Sequence, residues 1–245
     1  MTKLKNGKKS ALTKPYGDGG TAMLEDLCAG MELGEMTAPQ LAVKVLQEAI
    51  VTGVLPSGAS IKQDVIAEKL GTSKIPVREA LRELEGQGLV DFKRNKGFVV
   101  SLTSVEEMLE AFKLRRMLEL FAVRESVPLA TDADCDAIDQ IIHDFELVTD
   151  VMVSSHWNLK LHLAFYAPAK MAHLNKMIRR AHTIAHRYTH IYMRAHQEAI
   201  DPQDEHRAIL QAYRNRDAEL AVTLMDSHIS VAANAYAAFL KDHLA

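Results

Sequence analysis

Cysteine, aromatic side chains and long apolar runs are all scarce in this chain, and each shortage removes a class of protein. The 245 residues contain only two cysteines, Cys28 and Cys135, far apart and without motif spacing. Neither a disulfide framework nor a cysteine metal site is therefore expected. No apolar run reaches membrane length and no secretory leader is visible, so the expected location is the cytoplasm and no membrane partner is expected. Aromatic residues make up 6% of the chain against 48% hydrophobic residues in all. That balance suits a largely helical globular protein with room for two domains. Charge of one sign is lacking too, the formal net charge being only −3. The near balance conceals a split. Residues 1–103 carry 14 basic and 12 acidic side chains (+2), and residues 104–245 carry 15 and 20 (−5). Attraction to a polyanion must come from the front part.

What the front part does contain is the stretch from Ser60 to Val100, SIKQDVIAEKLGTSKIPVREALRELEGQGLVDFKRNKGFVV. Val65, Ile66, Lys69 and Leu70 recur at helical spacing, and Gly71 ends that helix as a residue free to take positive φ. Ser73 stands at an N-cap position, and Pro76 falls in the next helix's first turn, where a missing N–H costs nothing. A second helix is expected through about Gly86, with Val77, Ala80, Leu81 and Leu84 inward. Two helices joined by a tight Gly-containing turn form a helix-turn-helix, whose second helix reaches base edges with its N-terminal residues. Those residues are Ser73, Lys74, Ile75, Val77 and Arg78. Leu89 to Phe92 and Phe98 to Val100 then alternate like short strands around Lys93-Arg94-Asn95-Lys96-Gly97, which makes a wing. With Arg82, six basic residues face four acidic ones between Lys74 and Gly97, and the basic ones collect at the helix start and the wing tip, where phosphates bind. A winged helix that binds protein is the alternative reading of the same pattern.

The segment from Ile50 to Val100 resembles the winged-helix domain of GntR-type bacterial transcription regulators, and SKIPVREALRELEGQGLV is its most specific part. The resemblance implies double-stranded operator DNA as a partner. Relatives usually have Arg-Thr where this chain has Lys74-Ile75. Ile75 can touch a thymine methyl but cannot hydrogen-bond a base, so the operator sequence does not carry over.

Around this core the rest of the chain falls into order. Residues 1–36 read as a basic, disordered tail plus a short segment, with a short helix over 22–33. The winged domain spans 37–102, opening at Thr37 with an early proline and Gln40 at N3. Ser104-Val105-Glu106-Glu107 reads as a capping box, after which there is no strand signal. Six helices are expected, over about 104–127, 132–150, 155–167, 171–197, 202–214 and 217–242. The fold class is thus mainly α: an N-terminal winged helix-turn-helix followed by an all-helical bundle over 104–242. The order RRMLE, NLKLHLAFY, EHRAIL and DAELAVTLMDSHI resembles the FCD effector-binding domain of the FadR subfamily.

Asn158 and His162 share one helix face at i and i+4, while His206 and His228 come from two later helices. Imidazoles converging from separate helices can build a transition-metal site, although among 11 histidines such residues are more often ordinary surface or core side chains. The resemblance strengthens the metal reading, because metal-binding FCD proteins carry Asp or Asn, a histidine four residues on, and two later histidines at matching places. It implies a divalent transition metal, zinc first and nickel, manganese or cobalt as alternatives. Retention is expected to fall below about pH 6.5, where free imidazole protonates. His182, His186 and His190 form a second row, interleaved with Arg179, Arg180 and Arg187. It reads as a polar helix face, solvated or partly lining an effector cavity. Arg115, four residues before Glu119, matches a family arginine that faces that cavity, or else it is an ordinary surface ion pair. The expectation is a homodimeric regulator that takes a small carboxylic acid, and not an enzyme. The alternative is a metal-dependent enzyme with an accessory winged helix, and the acids near the trio in sequence, Glu205 and Asp226, form no known catalytic motif.

Overall fold

The computed structural model describes residues 36–148, 151–196 and 202–244, so the expected tail over 1–20 and helix over 22–33 lie outside the described residues. The chain divides into two compact units, with the division between Thr103 and Ser104.

In the first unit, α1 (Ala38–Val51) starts at Thr37, whose N–H donates to Gln40 Oε1 at 2.9 Å. Helix α2 (Gln63–Lys69) and α3 (Lys74–Gly86) follow, joined by a turn in which Gly71 has φ +60°. A residue with a Cβ would be strained there. Strands β1 (Val90–Lys93) and β2 (Gly97–Val100) pair antiparallel, with Phe92 opposite Phe98. The stretch before α2 adds to this sheet: Ile61 N–H donates to the Phe98 carbonyl at 2.9 Å, and Val100 N–H donates to that of Ala59 at 2.9 Å. The core is formed by Val45, Leu46, Ile50, Ile66, Val77, Leu81, Leu84, Val90 and Phe98, all buried.

The second unit is helical throughout its described residues: α4 (Val105–Ser126), α5 (Asp132–Glu146), α6 (Val151–Tyr166), α7 (Ala172–His196), α8 (Gln203–Arg214) and α9 (Ala218–Leu244). Short 3-10 turns containing Pro128 and Pro168 follow α4 and α6, since proline cannot continue a helix with its missing donor. Helix α6 starts at Val151, earlier than the Ser154-Ser155 pair implied, and α5 ends at Glu146, short of the expected 150. Helix α4 lies at the centre and packs against α6, α7 and α9. Side chains on its inner faces therefore meet residues from three other helices.

The start of α4 departs from the expected capping box. Ser104 Oγ accepts from Glu107 N–H at 3.0 Å, as a cap should. Glu107 does not return the bond. Its carboxylate accepts from the Tyr188 hydroxyl on α7, and the Ser104 N–H donates to that same hydroxyl at 3.2 Å.

Candidate functional site

Three imidazoles meet inside the second unit. His162 on α6 and His206 on α8 are fully buried, and His228 on α9 is 8% exposed. Their ring centroids form a triangle of 5.8, 5.2 and 4.7 Å, and their candidate ligand atoms lie within 4.8 Å of one another. Each ring is held from behind. His162 Nδ1 is 2.8 Å from Glu119 Oε2, His228 Nδ1 is 2.6 Å from Glu205 Oε2, and His206 Nδ1 is 3.2 Å from Gln203 Oε1. An oxygen acceptor at Nδ1 places the proton there and leaves Nε2 as a lone pair.

Those lone pairs face each other. His162 Nε2 and His228 Nε2 are 3.2 Å apart, and His206 Nε2 is buried without a hydrogen-bond partner. Two lone pairs at that distance repel unless a cation sits between them. Nitrogen ligands about 2.0–2.1 Å from one tetrahedral ion are about 3.3 Å from each other, so the spacing suits a shared zinc-sized ion. One turn before His162, the Asn158 Oδ1 is also buried without a partner, available as a fourth donor. The donor set, three imidazoles and an amide oxygen, fits a divalent transition metal.

Burial moves the titration of these rings. It lowers His162 to about 3 against the opposing pull of Glu119, and it lowers His206 well below the ordinary histidine value. Burial thus favours the neutral form of these two rings, the form that can offer a lone pair to a metal.

Glu119, on α4, is the hub that sequence reading treated only as the partner of Arg115. It is fully buried, and its Oε1 accepts from Arg115 Nε at 2.7 Å and lies 3.0 Å from His182 Nε2. Its Oε2 accepts from the Tyr166 hydroxyl at 2.5 Å as well as from His162. Burial alone would raise this carboxyl, but the Arg115 charge, His182 and the hydrogen bonds hold it well below the ordinary carboxylate range. Arg115 is itself only 5% exposed, so its pair with Glu119 is not a surface ion pair. Glu119, His162 and His182 also stand within metal-ligand reach of one another, but the carboxylate there is already occupied by Arg115 and Tyr166.

The second histidine row does not form a solvated basic face. His182, Arg187 and His190 are buried, and burial lowers His186 to about 3. The exposed arginines, Arg179 and Arg180, point elsewhere. A cavity of about 280 Å³ opens beside His228, lined by Asp204, Glu205, Ala208, Leu224, Ser227 and His228. The two acids that the sequence sets near the trio are both engaged. Glu205 holds His228, and Asp226 is gripped through both oxygens by Arg116 at 2.6 and 2.9 Å.

In the first unit, Ser73, Lys74, Ile75 and Arg78 are exposed at the start of α3, and Lys93, Arg94, Asn95 and Lys96 are exposed in the wing, with Gly97 at φ +72° closing the turn. Val77 does not belong with them. It is fully buried in the core, because the helix period turns position 77 away from the face that carries 75 and 78. Lys74 pairs with Asp64 of α2. Arg82 lies 4.9 Å from the centre of the Phe92 ring and bonds Glu85 at 2.7 Å, which braces the wing against α3.

Comparison with known proteins places both units. Residues 40–100 match the family described as bacterial regulatory proteins, gntR family, and residues 110–231 match the FCD domain. The chain is 25% identical over 195 residues to the HTH-type transcriptional repressor GlaR of Escherichia coli, covering 75% of this chain and 89% of that protein. Among solved structures it is similar to a GntR family regulator from Pseudomonas syringae, at 28% identity and TM-score 0.53, covering 92% of this chain and 97% of the other. The fold is shared with McbR/YncC of E. coli at TM-score 0.70 and 22% identity, over 80% and 94% of the two chains. The two matches follow one another along the chain in the order of the two units, a winged helix and then a helical bundle. The chain belongs to the GntR family of bacterial regulatory proteins and is a DNA-binding transcriptional regulator with an FCD domain, not an enzyme.

Proposed function

We propose that this regulator is a ligand-responsive homodimer of the FadR type, acting in the cytoplasm as a repressor. Its FCD domain, residues 104–242, holds a divalent transition metal on His162, His206 and His228 with Asn158 as a further donor. The observation that carries this reading is the pair of facing Nε2 atoms 3.2 Å apart, each on a ring whose Nδ1 is fixed by a carboxylate. Zinc suits the donors best, with nickel, cobalt or manganese as alternatives. When bound, the metal supplies a Lewis-acidic position open to a carboxylate. Glu119, Gln203 and Glu205 orient the three rings. Arg115 presents the guanidinium edge not engaged by Glu119 to a small carboxylic acid, the proposed effector.

The winged domain, residues 37–102, places Ser73, Lys74, Ile75 and Arg78 against base edges and phosphates. Lys93, Arg94, Asn95, Lys96 and Gly97 lie along the backbone, with Arg82 behind the wing. Dimerisation is supported by an exposed apolar stripe on α4, Leu114, Met117 and Phe121, at positions that share one helix face.

Elemental analysis of purified wild type, His206→Ala and His228→Ala, beside thermal-shift titration with a panel of carboxylic acids, tests the reading. Metal content and acid-induced shift are expected to fall together in both variants. Equal metal content in all three proteins would reduce the histidines to packing residues.

A further inference from the structure

Ile75 is 70% exposed at the second position of α3, whereas Val77, Ala80, Leu81 and Leu84 of the same helix are all fully buried. An isoleucine left in water forgoes the stabilisation that burial would contribute. Around Ile75 the exposed side chains of the helix start, Ser73, Lys74 and Arg78, are polar. Lys74 beside it is turned to Asp64, Arg78 is exposed one turn later, and Pro76 follows it directly. The side chain is therefore an isolated alkyl group in a basic setting, at the end of the helix that a helix-turn-helix inserts into the major groove. Being β-branched, it is stiff at χ1, and Pro76 fixes φ at the next residue, so its methyl groups are presented in a restricted geometry.

An alkyl group carries no donor or acceptor, so it cannot distinguish bases by hydrogen bonding. The one apolar feature on the major-groove edge of DNA is the 5-methyl group of thymine. We propose that Ile75 is a specificity-determining residue that selects a 5-methylpyrimidine, thymine in unmodified DNA, at one position of each operator half-site. The proposal rests on α3 docking in the major groove, and Lys74, held by Asp64, contributes charge rather than base choice.

The test begins with selection of binding sites from a random duplex library by the full-length protein. Each thymine of the selected site is then replaced singly by deoxyuridine, which removes the methyl and keeps the base pair. One thymine per half-site is expected to weaken wild-type binding about fourfold on replacement, the fold-change for burying one methyl-sized group. The Ile75→Ser protein is expected to bind the thymine and deoxyuridine duplexes equally, and 5-methylcytosine at that position is expected to be bound more tightly than cytosine by wild type alone. Insensitivity of wild type to every deoxyuridine, or an unchanged loss in Ile75→Ser, overturns the assignment of Ile75. Undiminished operator binding by Arg78→Ala overturns the docking of α3, a separate failure.

Discussion

Single side chains in the second unit show how burial changes the meaning of a residue pair. Arg115 and Glu119 at i and i+4 look in sequence like any surface ion pair, and nothing local marks Glu119 as the fully buried acceptor of Arg115, His162 and Tyr166. The histidine trio was legible because its spacing could be matched to a family, whereas the hub depends on which helix faces pack together. Replacing Arg115 by lysine removes the planar fork that can bond Glu119 and still present donors to a carboxylate. Arg115→Lys is expected to abolish the acid-induced thermal shift while operator binding in a gel-shift assay persists; an unchanged titration would leave Arg115 a structural ion pair. The buried imidazoles also set the acid behaviour of the metal-free protein. His162 and His186 protonate near 3 when folded and near 6.5 when unfolded, burial being the main cause in both. Unfolding therefore takes up protons between those values, and stability is full above about 6.5 and falls as pH drops towards 3. The slope is about 1.4 kcal/mol per pH unit for each such histidine. Urea melts of chelator-treated protein at pH 7, 6 and 5 should show this decline, with a shallower one in His186→Asn.

Among the elements, helix ends and turns were the most readable features. Gly71, Ser73 and Pro76 define the turn between α2 and α3 through backbone rules that need no tertiary context, and α3 spans Lys74–Gly86. Helix bounds were less readable where packing decides them, as at the start of α6 and the end of α5. Val77 illustrates the same limit at the recognition helix: its place near the N-terminus suggested a base contact, but its position on the turn places it in the core. Arg78 and Lys96 sit on two different elements and should fail differently. Arg78→Ala is expected to cost about 1–3 kcal/mol in binding of the selected operator and little on random DNA, whereas Lys96→Ala should weaken both alike and reduce the salt dependence of binding. Fluorescence anisotropy at several salt concentrations separates the two, and equal losses on both DNAs for Arg78→Ala would remove base readout from that residue.

Over the whole molecule, the charge split seen in the sequence matches a division of labour. A front unit of +2 presents its basic residues at a helix start and a wing, and a rear unit of −5 encloses a buried histidine centre. The two tasks must be coupled through the protein for a ligand to change DNA affinity, and coupling of this kind is reciprocal. One bond network at the start of α4 bears on how. The Tyr188 hydroxyl receives the N–H of Ser104, the first residue after the winged unit, and donates to Glu107. Tyr188 stands on α7, directly after Arg187 and two residues past His186, on the helix that also carries His182 against Glu119. A small rotation of α7 about its axis, driven at His182, would pull on the peptide at Ser104 as a tethered cord is pulled by a turning spindle. Tyr188→Phe cuts the cord and leaves the spindle. Acid binding by calorimetry should be retained in that variant, while the acid's effect on operator affinity should shrink; a full-sized effect would show that the signal leaves α7 by another path.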